Sequence, residues 1–251
     1  FAVLEKSKRN YTMASNHTAK VVILMVEGEN DEILLEQYVD EVLQNKQTDY
    51  HFEVTVGDIL GNNQHRANAE NIVLAKIKEV MNTQKYKKSD IAAVFHIVDV
   101  DGSFIKHGHF LVNEELKQRN RSHEYTVEDE LVYSESNDMK ENNRKSWQLK
   151  HGRLRTLSTR TEMWSIPYSL IFFSITSEHV LSGEIKYDQD AKLDVIDAFL
   201  NQHPTVNDFL DFLEDQKLIT QADPWSILEK STGFKRLTNI NCVIDSLKVL
   251  E

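Results

Sequence analysis

Two long apolar runs, the second broken only by His96, constrain this chain more than any other feature. Lys20 is followed by Val21-Val-Ile-Leu-Met-Val26, which stops at Glu27-Gly28. Asp90 leads into Ile91-Ala-Ala-Val-Phe-His-Ile-Val98, which stops at Asp99-Val100-Asp101-Gly102. A strand with one wet face alternates apolar and polar residues, whereas an unbroken run needs cover on both faces, as in a parallel sheet packed between helices. The intervening sequence supplies the helices. Asn30 or Asp31 can cap one carrying Ile33, Leu34, Leu35, Tyr38, Val39, Val42 and Leu43 at helical spacing. Phe52, Val54 and Val56 alternate as a strand, and Ala69 to Met81 shows a second helical stripe through Ile72, Val73, Ile77, Val80 and Met81. Strand and helix thus alternate three times, predicting an α/β fold with a mainly parallel central sheet flanked by helices and joined by right-handed crossovers.

The rest of the chain divides into segments of different character. Residues 1–17 form a lead segment, 18–185 the α/β domain with a basic insertion at about 138–161, and 186–251 a helical C-terminal extension. The stretch through Arg119-Asn120-Arg121 reads as polar loop, and Asp138 to Thr161 as a helix or mobile segment. Tyr168 to Ile175 is a further apolar strand; Ser177 can cap the short helix after it and Gly183 can end that helix. Helical patterns follow at Leu193–Leu200, Val206–Leu213, Trp225–Lys230 and Asn241–Leu250. Phe172, Phe173, Phe209 and Phe212 fit core packing, and His107, His109 and His123 fall in loops without ligand spacing.

Composition narrows the function classes. A net charge of -11 over 251 residues excludes a uniformly basic coat, so a polyanion must meet a local patch or a bound metal. The single cysteine, Cys242, excludes an intramolecular disulfide and a cysteine zinc cluster, and a reducing cytoplasm is the expected compartment. The longest apolar run, Val21 to Val26, is far short of the roughly 20 residues that cross a bilayer, so no membrane association is expected. The chain begins at Phe1 without a secretory succession, and Met13 is one candidate for a natural start.

In parallel α/β sheets the ligand site lies beyond the carboxyl ends of the strands, which gives strand-closing acids a geometric claim to function. Glu27 closes the first strand. Asp99 and Asp101 close the third and are expected to share a face, because strand residues two apart point the same way. With neighbouring strands about 4.8 Å apart the three carboxylates can converge. Such a cluster repels itself unless a cation compensates it, and Mg2+ or Mn2+, hard ions that prefer oxygen, are the natural compensators. A site of this kind polarises a phosphoryl oxygen and activates water, which suits phosphodiester hydrolysis.

Two further groups are candidates. Lys140, Arg144, Lys145, Lys150, Arg153, Arg155 and Arg160 stand against one acid, Glu141, giving a local balance of +6 in an acidic chain. That concentration fits contact with a nucleic-acid backbone, with Trp147 as a stacking surface; the alternative is a solvated basic helix paired with acidic neighbours. Glu178 and His179 follow the Tyr168–Ile175 strand and can bind a second metal or relay a proton, although a glutamate in a first helical turn is also ordinary.

The order Val26-Glu27-Gly28-Glu29-Asn30-Asp31 after one apolar strand and Asp99-Val100-Asp101-Gly102 after another resembles the TOPRIM domain of topoisomerases, primases, ribonuclease M5 and OLD-family nucleases. The resemblance covers roughly residues 18 to 105, with weaker continuation to about 185. It implies that Glu27, Asp99 and Asp101 are catalytic metal ligands, with Asp31 in support, and that the cofactor is Mg2+ or Mn2+. The size and the helical C-terminal third are most similar to small TOPRIM nucleases of phage-defence systems. Some of those cut RNA, including transfer RNA, and some work beside an ATPase partner, so a nucleic-acid substrate and an ATPase partner or homo-oligomer are implied. Gly102-Ser103-Phe104 lacks the further glycine that some members show. Asp-Val-Asp-Gly-Ser also resembles the haloacid-dehalogenase phosphatase motif, which normally sits on the first strand of its sheet rather than after a strand-helix-strand-helix unit. A non-catalytic interaction module on the same fold is the remaining alternative.

Overall fold

The structure is a computed structural model describing residues 19–44, 46, 50–61, 68–219 and 223–250. The expected lead segment at 1–17 lies outside the described residues. In chain order the elements are β1 (Lys20–Val26), α1 (Glu29–Gln44), β2 (Tyr50–Val56), α2 (Ala69–Gln84), β3 (Ile91–Asp99), β4 (Phe110–Val112), β5 (His123–Thr126), β6 (Leu131–Ser134), α3 (Asn137–Leu157), β7 (Glu162–Met163), β8 (Ile166–Phe173), α4 (Ser177–Ser182), α5 (Gln189–Gln202), α6 (Val206–Asp215), α7 (Pro224–Lys230) and α8 (Asn241–Val249).

The main sheet has the order β2-β1-β3-β8-β7. Its first four strands are parallel, with Met25 opposite Thr55 and His96 and with Asp99 opposite Phe173, while β7 joins antiparallel at the edge. Residue alternation divides β1 between two cores. Val22, Leu24 and Val26 pack with Leu34 and Tyr38 of α1, Phe199 of α5, Phe209 of α6 and Ile244 of α8. Val21, Ile23 and Met25 face Val73 and Ile77 of α2 and Leu154 and Leu157 of α3. All six residues of the run are buried, which is why no polar residue interrupts it. Each such aliphatic side chain contributes roughly 1.5–3 kcal/mol on burial. The described C-terminal helices α5, α6 and α8 therefore belong to the core that covers one face of the sheet.

Several expectations need correction. The polar stretch around Arg119-Asn120-Arg121 is not simply loop: β4, β6 and β5 form a second, three-stranded sheet around it. Its Phe110, Tyr125 and Val132 pack against Trp147 of α3, so three short strands gain enough apolar cover to hold. Residues Asn137–Leu157 form one helix of 21 residues, capped by Ser136, whose side chain accepts the Met139 N–H. The strand expected to reach Ile175 ends at Phe173, because Ile175 takes a left-handed conformation, φ 58°. Thr176 rather than Ser177 caps α4, by accepting the His179 N–H, and Gly183 ends that helix at φ 83°. Among the described residues no helix is long and apolar enough to cross a membrane.

Candidate metal centre

The chain leaves β1 toward β2 on one side and returns to β3 on the other, so the crevice between the carboxyl ends of β1 and β3 is the topological switch point of the sheet. Glu27 follows β1 directly and Asp99 is the last residue of β3. Asp101 lies beyond the strand in a left-handed turn, φ 49°, so it is not placed beside Asp99 by strand alternation as expected. The turn is tied to the end of β8: the Val100 N–H donates to the Phe173 carbonyl and the Asp101 N–H to the Ile175 carbonyl, both at 3.0 Å. A left-handed β-branched residue costs about 1–3 kcal/mol and persists where its surroundings over-determine it. Ile175 is fully buried, and its carbonyl fixes the backbone of Asp101.

The centre is organised by Lys150 of α3. Its ammonium lies 2.9 and 3.0 Å from the two carboxylate oxygens of Glu27, 2.7 Å from Asp101 Oδ2 and 3.8 Å from Asp58 Oδ1. Burial on its own would lower the pKa of Lys150, but Asp101, Glu27 and Asp58 outweigh it and hold the lysine protonated well above its ordinary range. Lys150 was expected at a nucleic-acid interface. It is completely buried instead, and so is nearly all of Arg153, which donates to the Leu60 carbonyl at 2.5 Å. These two basic side chains point inward because their positions fall on the stripe of α3 that carries Trp147, Leu154 and Leu157. Of the remaining basic residues, Lys145, Arg155 and Arg160 are exposed, and Lys140 and Arg144 half-buried. Arg144 pairs with Glu141 at 2.7 Å and Arg160 with Glu70.

Behind Lys150 is a second layer of acids. Asp31, in the first turn of α1, accepts the Gly28 N–H at 3.1 Å and the Ser177 hydroxyl at 2.7 Å. The Ser177 N–H donates to Asp99 at 3.0 Å, so one serine holds two carboxylates. Asn30 donates to Glu178 at 3.2 Å and joins it to the same cluster. Burial raises Asp99 well above its ordinary pKa, and the neighbouring Asp31, Glu27, Asp101 and Glu178 raise it further. Burial likewise raises Asp31 to about 6, partly offset by Ser177. Glu27 is raised by burial, with Asp58 and Asp101 adding to it and Lys150 opposing it. The Nδ1 of His179 lies 3.2 Å from the Ser174 carbonyl, and burial lowers the pKa of its ring.

Asp58 was not singled out in the sequence, and Asn30 and Ser177 were expected only as helix caps. Asp58 follows the end of β2, where its Oδ1 accepts the Leu60 and Gly61 N–H groups at 3.1 and 2.7 Å, so the strand-end rule that selected Glu27 applies equally to it. Beside Asp101 opens a cleft of about 410 Å³, lined among others by Gly102, Phe104, Phe110, Arg144, Trp147 and His151. A side chain at Gly102 would bring its Cβ within 2.3 Å of the Trp147 ring, so only glycine lets α3 settle on this turn.

Glu27, Asp101 and Asp58 thus gather around one fully buried ammonium, with Asp99, Asp31 and Glu178 in the adjoining cluster and the Lys192 ammonium 4.0 Å from Glu178. Among the described residues no group of three or more His, Cys, Asp or Glu side chains is arranged so that it could hold a metal ion. The donor chemistry nevertheless suits a hard divalent cation: all are carboxylate oxygens, and Lys150 marks a point where Glu27 and Asp101 both reach a cation. No family model, curated protein or solved structure matches the chain.

Proposed function

We propose that the chain is a Mg2+- or Mn2+-dependent nuclease of TOPRIM type, hydrolysing phosphodiester bonds in RNA, transfer RNA included, or in DNA. The observation that carries the reading is the convergence of Glu27 and Asp101 on one cation position at the switch point of the sheet, with Asp99 and Asp31 coupled behind them through Ser177. Glu27, Asp101, Asp99 and Asp31 are the residues that would hold the metal. When bound, the ion would polarise a phosphoryl oxygen and ease deprotonation of a water. Ser177 would keep Asp99 and Asp31 in fixed orientations, and Glu27 would act as ligand or general base. Lys140, Lys145, Arg155 and Arg160, partly or fully exposed on or just beyond α3, supply positive charge for a phosphate backbone. The resemblance of the two motifs supports a role as a phage-defence or toxin effector, acting with an ATPase partner or as a homo-oligomer.

One observation favours a second reading, a non-catalytic interaction module or regulatory subunit: Lys150 already neutralises part of the cluster, as a purely structural ion pair would. The two readings separate in a single assay. Purified protein is incubated with single- and double-stranded DNA, total RNA and transfer RNA, with Mg2+, with Mn2+ and with chelator. The nuclease reading expects cleavage of at least one substrate that chelator abolishes; intact substrates throughout, or cleavage indifferent to chelator, would reject it.

A further inference from the structure

Lys150 is bound by the same oxygens that a divalent cation would require. Its ammonium contacts both oxygens of Glu27 and Oδ2 of Asp101, at 2.7 to 3.0 Å, and has Asp58 as a further neighbour. The residue is 0% exposed, which is exceptional for a lysine on a basic helix. An ammonium and a divalent ion on the same two carboxylates would repel each other at short range inside a poorly solvated site, so co-occupancy is disfavoured. Lysine is also suited to leaving: it is a point charge on a flexible four-carbon stem rather than a rigid bidentate fork.

We infer that Lys150 is an internal counter-ion that competes with the divalent cation for Glu27 and Asp101, holding the carboxylates together when metal is scarce and being expelled when metal binds. The inference rests on the proposed metal site, and deepens it by assigning a residue that sets its metal affinity. Divalent ions gain a threshold: the concentration that fills the centre is the one that displaces the lysine. An ammonium fixed to the carboxylates also spares the fold the repulsion of an uncompensated acidic cluster.

Two experiments without any nucleic acid test this. In calorimetric titration with Mn2+, Lys150→Gln is expected to bind on the order of tenfold more tightly than wild type, whereas Lys150→Arg, which keeps the charge, should show no gain. Equal or weaker binding by the Gln variant would overturn the inference. If the Gln variant does not fold, the wild-type protein decides: lysines are acetylated with a water-soluble active ester and sites are quantified by mass spectrometry. Lys150 is expected to be protected without divalent metal and modified at saturating Mg2+ or Mn2+. Continued protection while calorimetry shows metal bound would overturn competition, and so would the absence of any metal binding. Competition without nucleic-acid cleavage would reject only the nuclease reading, whereas metal-dependent cleavage with Lys150 still protected would reject only the competition.

Discussion

The Lys150 ammonium lies 2.7 Å from Asp101 Oδ2, joining the middle of a basic helix to a left-handed turn at the end of the central sheet. The two are 49 residues apart in sequence, and the contact depends on α3 being packed through Trp147 onto Gly102. The ion pair therefore couples the position of α3 to the geometry of the carboxylates.

Removing one partner of a buried ion pair leaves the other uncompensated, which costs about 3 kcal/mol. Lys150→Met is expected to lower unfolding stability by that order in chelator at neutral pH, and by less at pH 5, because burial favours the protonated form of Glu27 and less charge is then left uncompensated. Urea denaturation at the two pH values checks this. A loss that is the same at both would show that packing of the lysine stem, and not its charge, is what matters.

Asp31 makes a signed prediction about pH. Its folded pKa of about 6 stands above the ordinary 3.8, so the folded state holds the proton more firmly than the unfolded chain does. The stabilisation this gives is fully present below pH ~4 and is lost as pH rises through about 6, amounting to roughly 3 kcal/mol at most. Asp31→Asn is expected to flatten the stability profile between those limits relative to wild type. The difference between the two urea-denaturation profiles, measured in chelator from pH 4 to pH 7, reads it directly.

Ser177 is expected to matter through its hydroxyl. Ser177→Ala removes the donor to Asp31 but leaves the backbone N–H to Asp99, so stability should fall by about 1–2 kcal/mol at pH 7. The Asp31 carboxyl pKa, followed by carbon-detected NMR, should move further upward.

Gly102 is constrained by space. Gly102→Ala places a methyl group against the Trp147 ring and is expected to cost about 1–3 kcal/mol, with a change in Trp147 fluorescence in a variant lacking the other two tryptophans. An unchanged thermal midpoint would mean that α3 shifts freely on this turn.

The sheet was legible because its signals are local. Two long apolar runs can be satisfied only by burial on both faces, and alternating strand and helix patterns limit the connections. Glu27 and Asp99 were legible for the same reason, since a strand end is visible in sequence. Asp58 carried that signal too, but β2 alternates apolar and polar residues and so marks its end less sharply than an unbroken apolar run does. Lys150 was not legible: in sequence it is one of seven basic residues, and only the helical phase of Trp147, Lys150, Leu154 and Leu157 separates an inward lysine from outward ones. The small sheet around Arg119-Asn120-Arg121 was hidden because each strand is only three or four residues long and borrows its apolar cover from Trp147.

The central claim, that these carboxylates carry metal-dependent phosphodiester cleavage, is tested most directly by Glu27→Gln. That change keeps size and hydrogen-bonding capacity while removing one charge. Initial cleavage rates in Mg2+ and in Mn2+, on whichever substrate wild type cuts, are compared alongside thermal midpoints. The expected result is a loss of about a thousandfold in rate with the fold retained. Cleavage at the wild-type rate by the folded variant would contradict the account.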